Sequence, residues 1–112
     1  MTTKTYTPDT GHIIQLHFDL VAGSTLPDRR PALVLSPAAY NKRTGLVVAC
    51  AITTQVKGYP FEVLIQDDTA AVLADQVKSL NWKTTRITHG GRVDAKTLAE
   101  VRAKLHALIF VF

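Results

Sequence analysis

Two arginines, Arg29 and Arg30, stand immediately before Pro31 and the apolar run Ala32-Leu33-Val34-Leu35-Ser36. A guanidinium there is carried at the edge of a strand-like element, and its planar fork suits the oxygens of a phosphate. Pro31 fixes its own φ and biases Arg30 toward extended backbone, which limits where that arginine points. Two further polar groups close strand-like segments: Thr53 and Thr54 after an apolar run, and Asp75-Gln76 after Ala71-Val72-Leu73-Ala74. If strand ends converge on one rim of a curved sheet, a fixed cation meets a hydroxyl and two side chains able to read hydrogen-bonding edges.

Other chemistries lack their residues. His12 and His17 are five apart, His89 and His106 fall in different segments, and no metal-ligand spacing is present. There is no phosphate-binding glycine loop and no Gly-Xaa-Ser-Xaa-Gly elbow, so no metal or other cofactor is expected. Cys50, the single cysteine, sits among Val47, Val48, Ala49 and Ala51 and reads as a buried, inert thiol with no internal disulfide. Lys and Arg number 13 against 9 acidic residues, a formal +4 with pI near 9.5, which favours an anionic partner such as nucleic acid or an acidic polypeptide. A chain of 112 residues with 46% hydrophobic content suits one domain, residues 1–112. The start is too polar for a signal peptide and no apolar run reaches spanning length, so a cytoplasmic protein with no membrane association is expected.

The elements that must position these groups are mostly strands. Residues 12–18 approximate a two-residue period and read as a half-buried strand after Gly11, followed by a loop over 19–28. Residues 31–36 form the second strand, with Pro31 at its tolerated first position. Residues 37–41 fit one or two helical turns before a polar turn over 41–45. The run 46–54 suits a central strand covered on both faces, and 55–60 is a loop in which Gly58 and Pro60 bracket Tyr59. Strands are expected at 61–65, 71–74 and 83–89, the last closed by Gly90-Gly91. Asp94 caps a helix from Ala95, along which Leu98, Val101, Leu105 and Leu108 recur at helical spacing. The apolar end, residues 108–112, needs cover from the domain or from a second subunit. Short strands followed by one helix argue for a strongly bent antiparallel sheet or a partly closed barrel.

In order along the chain, Phe18-Asp19, Gly23-Ser24, Arg30-Pro31-Ala32-Leu33-Val34-Leu35-Ser36-Pro37, Tyr40-Asn41, Thr44-Gly45, Thr53-Thr54, Lys57-Gly58-Tyr59-Pro60-Phe61-Glu62-Val63, Ala74-Asp75-Gln76-Val77-Lys78-Ser79 and Trp82 resemble the MazF/PemK family of bacterial toxin endoribonucleases, in its MazF branch. The resemblance runs from about Tyr6 to Ile109. It implies a mainly β fold, a small SH3-like barrel of antiparallel strands with a C-terminal α-helix, and a homodimer. It also implies sequence-specific, metal-independent cleavage of single-stranded RNA, and an antitoxin whose acidic, flexible C-terminal segment covers the RNA-binding surface.

Carried onto this sequence, the resemblance makes Arg30 and Thr53 catalytic and Ser24, Arg29, Thr54, Lys57, Tyr59, Asp75, Gln76 and Lys78 RNA-binding. The implied reaction is attack by the ribose 2′-OH on the adjacent phosphorus, giving 2′,3′-cyclic phosphate and 5′-OH ends. Arg30 would stabilise charge on the phosphoryl oxygens, since a guanidinium stays protonated in proteins and makes a poor base. The chain departs from the family pattern at His12, Gln15 and His17, where the first strand usually has acidic or aromatic residues. It departs again over Gly23-Ser24-Thr25-Leu26-Pro27-Asp28, which lacks the usual glutamate. His17 is a candidate to supply the missing acid–base group. The alternative is a catalytically weakened SH3-like module that binds RNA or a peptide without cutting it.

Overall fold

The computed structural model describes residues 6–18 and 28–110. Its elements are β1 (His12–Phe18), β2 (Asp28–Val34), α1 (Ala38–Thr44), β3 (Leu46–Thr53), β4 (Glu62–Ile65), β5 (Ala70–Asn81), β6 (Arg86–Arg92) and α2 (Ala95–Phe110). The six strands form one sheet in the order β4-β5-β3-β2-β1-β6, and every neighbouring pair is antiparallel.

The expected SH3-like barrel is not formed. Among the described residues β4 and β6 are the two edges of the sheet, and no ladder joins them. The packing explains why an open sheet is stable here. Alternate residues along the central strands supply two separate cores, one holding Ile13, Leu33, Cys50, Ile52 and Val101, the other Ile14, Leu16, Ala32, Val34, Val47, Ala49 and Trp82. A sheet that buries apolar side chains on both faces is a middle layer and needs no closure to hide them.

Several boundaries differ from the sequence expectation, each for a physical reason. β2 begins at Asp28, so both arginines lie within the ladder with β1, Arg30 opposite Leu16 and Arg29 opposite His17. α1 continues through the polar residues to Thr44 and stops at Gly45, whose φ of 74° is left-handed and whose N–H donates to Asn41 O at 2.9 Å. Asn41 is fully buried, and its amide donates to Pro8 O at 2.9 Å and to Ser36 O at 3.0 Å. β6 runs through both glycines, because a bulge between Ile13 and Ile14 leaves Gly90 without an opposite number. A Cβ at Gly90 would lie 3.3 Å from Ile13 O. At α2 the Asp94 carboxylate accepts the Thr97 N–H at 2.8 Å, the N-cap bond expected there.

The largest change is in β5. The run 71–74 is only the first part of a 12-residue strand that reaches Asn81. Cys50 pairs with Val77 and Ile52 with Val72, so the single residue Ala51 of β3 faces four residues of β5, Leu73, Ala74, Asp75 and Gln76. The first part of β5 lies between β4 and β3 and pairs with both, and the second part pairs with β3 alone. Asp75 and Gln76 therefore sit in the middle of a bent strand and not at its end.

Candidate active site

Ala32 pairs with Ala51, and Leu33 with Cys50. The β2–β3 ladder ends at that Ala32–Ala51 pair, and Arg30 and Thr53 lie two residues beyond it on their strands, Arg30 on the face that bears Ala32 and Val34. Thr53 ends β3 and Thr54 begins the exposed bend after it. The Thr53 hydroxyl oxygen accepts the Gln55 N–H at 3.0 Å, which leaves its own hydrogen available to donate to a ligand.

Two adjoining depressions flank this pair. The first, about 180 Å³, has Ala32, Ala49 and Ala51 in its lining, with Arg30, Gln76 and Lys78 around them. Short side chains from adjacent strands make the concavity, since larger residues there would fill it. The second, about 210 Å³, is lined by Thr53, Gln55, Lys57, Tyr59, Asp75 and Gln76, among others. Gln76 belongs to both and is the wall between them. The bulge in β5 is what turns Asp75 and Gln76 out to this position.

Of the residues expected to act, the structure thus gathers Arg30, Gln76 and Lys78 around the first depression and Thr53, Lys57, Tyr59, Asp75 and Gln76 around the second. Thr54 is exposed beside it and does not line either depression. Arg29 is not brought in: alternation along β2 puts it on the opposite face from Arg30, next to His17. Ser24 and the loop 19–27 lie outside the described residues, as does the 111–112 end of the apolar tail. His17 Nε2 and Thr88 Oγ1 share a hydrogen bond of 2.9 Å on that same opposite face, so His17 is not placed to serve the cleft.

Charge around the cleft is mixed. Lys57 and Lys78 are exposed cations, and the Lys57 ammonium lies 5.8 Å from the centroid of the Tyr59 ring. Burial, together with the nearby Asp75 carboxylate, pushes the Cys50 thiol up to about 11, so it is neutral near pH 7. Sequence reasoning missed Glu62, whose carboxylate accepts backbone N–H groups of Lys57 and Gly58. Its signal is a lone acidic residue four and five positions after the loop amides it binds. Among the described residues no group of three or more His, Cys, Asp or Glu side chains is placed to hold a metal ion.

Arg30, Thr53, Lys57, Asp75, Gln76 and Lys78 thus surround two depressions that share a wall on an open antiparallel sheet. Residues 9–109 match the family described as PemK-like, MazF-like toxin of type II toxin–antitoxin systems. The endoribonuclease toxin MazF of Escherichia coli is 44% identical over 106 residues, 93% of this chain and 96% of that one. In the solved MazE–MazF complex from Deinococcus radiodurans, a chain 48% identical superposes with a TM-score of 0.84 over 94% of this chain and 97% of that one. An endoribonuclease from a mycobacterial species, solved with its cognate antitoxin, has a TM-score of 0.71 at 26% identity, over 89% of this chain and 92% of that one. The chain belongs to the PemK-like, MazF-like toxin family.

Proposed function

We propose that this chain is a sequence-specific endoribonuclease toxin that cuts single-stranded RNA, acting as one domain over residues 1–112. The observation that supports the reading is the pair of depressions that share Gln76, with Arg30 and Lys78 on the first and Thr53 and Asp75 on the second. The ribose 2′-OH attacks the adjacent phosphorus and the bond to the 5′-oxygen breaks, leaving a 2′,3′-cyclic phosphate. The proton released from the 2′-OH balances the one taken up by the departing 5′-oxygen. Arg30 offers paired N–H donors to the phosphoryl oxygens, whose charge grows in the transition state. Thr53 donates a hydrogen bond that orients the same phosphate. Because the nucleophile belongs to the substrate, DNA is not cut.

Asp75 and Gln76 offer an acceptor pair and an amide that can meet base edges, while Lys57 and Lys78 meet phosphates. Relatives have been solved with MazE or with a cognate antitoxin, and the cleft cations suit the acidic, flexible C-terminal segment of such a partner here. Ile109 and Phe110, 56% and 71% exposed, support a homodimer that covers them. No helix among the described residues is long and apolar enough to cross a membrane, and the proposed RNA substrate puts the site of action in the cytoplasm.

The test is cleavage of mixed-sequence RNA in EDTA by purified protein, with the cut ends mapped. Cutting at a defined motif, with cyclic phosphate ends, and its loss in Arg30→Ala support the proposal. RNA binding without cutting by folded, antitoxin-free protein points instead to the catalytically weakened module.

A further inference from the structure

We propose that Glu62 is the positioning residue that sets the RNA-reading shape of the 54–60 loop. The inference rests on the endoribonuclease reading above and assigns this side chain a part in substrate recognition. Every residue from Thr54 to Pro60 is exposed, so apolar packing contributes little to the loop's shape. Polar bonds hold it instead. Glu62 Oε1 accepts the N–H of Gly58 at 2.8 Å and of Lys57 at 3.1 Å, and Oε2 lies 3.2 Å from the same Lys57 nitrogen. The backbone N–H of Glu62 donates to Tyr59 O at 3.0 Å, so one residue clasps both ends of the turn. Gly58 at φ +78° supplies the left-handed residue this turn requires.

The clasp holds the backbone that carries two side chains of the second depression. Lys57 and Tyr59 flank Gly58, and both line the depression that Thr53, Asp75 and Gln76 share. A second tie comes from α2, where Lys104 Nζ donates to Pro60 O at 2.6 Å. With both carboxylate oxygens directed to backbone amides, Glu62 is suited to hold the loop and not to move protons. Hydrogen bonds to a charged acceptor are the strong kind, and a single such residue is able to select one loop conformation.

The experiment compares wild type, Glu62→Ala and Glu62→Gln in steady-state cleavage and in mapping of the cut motif. Glu62→Ala is expected to raise KM about tenfold with kcat changed by less than about twofold, the loss of one charge-assisted clasp. It is also expected to relax base preference at one position of the motif. Glu62→Gln, which keeps one acceptor oxygen, should fall between. Amide hydrogen exchange at Lys57 and Gly58 supplies a readout independent of catalysis, protected in wild type and fast in Glu62→Ala. Unchanged exchange, or a fall in kcat with KM and motif intact, overturns the assignment. If wild type cuts no RNA while the exchange pattern is as expected, it is the endoribonuclease reading that fails.

Discussion

Arg30 and Thr53 each lie two residues beyond the Ala32–Ala51 pair that ends the β2–β3 ladder. Each is mounted on a strand pinned by buried neighbours such as Leu33 and Cys50. Arg30→Ala is expected to lower kcat by about 10²–10³-fold, the usual cost of removing a donor aimed at developing negative charge. Arg30→Lys keeps the charge but not the paired donors and should recover only part of the rate. Single-turnover cleavage of an RNA containing the mapped motif checks both.

Asn41 ties three parts of the chain together. Its side-chain oxygen accepts the Ser36 hydroxyl at 2.5 Å, its amide reaches Pro8 O and Ser36 O, and its backbone carbonyl accepts Trp82 Nε1–H at 2.9 Å. Asn41→Ala removes the side-chain bonds to the Ser36 hydroxyl and to the Pro8 and Ser36 carbonyls, and is expected to cost about 2–4 kcal/mol of stability. Urea unfolding followed by fluorescence measures it directly, since Trp82 is the only tryptophan and is 5% exposed.

His12 gives the segment around Tyr6 a pH dependence. The Tyr6 hydroxyl and His12 Nδ1 are 2.7 Å apart, and the His12 ring stacks on Tyr6 and meets His89 edge-on. Burial, then the charges of His89 and Arg92, hold His12 below its usual 6.5. The unfolded chain therefore binds the proton more readily. Stability from this group is fully present above pH 6.5 and is lost as pH falls from there toward the lowered folded value. Melting temperatures across pH 5–8 should fall on the acid side, and His12→Gln should flatten that part of the curve.

Cys50 should resist thiol reagents. Its side chain is fully buried and the thiol is pushed up to about 11, so little thiolate exists near neutral pH. Alkylation at pH 8 is expected to proceed only as fast as the protein opens, and to become rapid in denaturant. Mass spectrometry after timed labelling reads the rate.

Much of this was legible in the sequence, for reasons that can be named. The alternation in β1 and the unbroken apolar run of β3 reflect burial on one or both sheet faces, a local signal. Arg30 and Thr53 stood out because each sits beside such a run. Openness of the sheet was not legible, since it depends on whether β4 and β6 meet, a contact between segments distant in the chain. The length of β5 was hidden by Asp75, Gln76 and Lys78, polar residues in strand because one side opens on the cleft. The buried role of Asn41 was equally hidden: an asparagine before Lys-Arg-Thr-Gly reads as a turn until Pro8 and Ser36 are seen to surround it.

The surplus of residues that β5 carries opposite Ala51 has a consequence for how this cleft can change. Asp75 and Gln76 hang from a stretch that has no one-to-one partners on β3, while the pairs on either side, Val72 with Ile52 and Val77 with Cys50, keep the strands aligned. New side chains at those two positions would reshape the walls of the two depressions with little disturbance of the ladder. The molecule thus separates a part that can be rewritten from the strands that keep its chemistry in place.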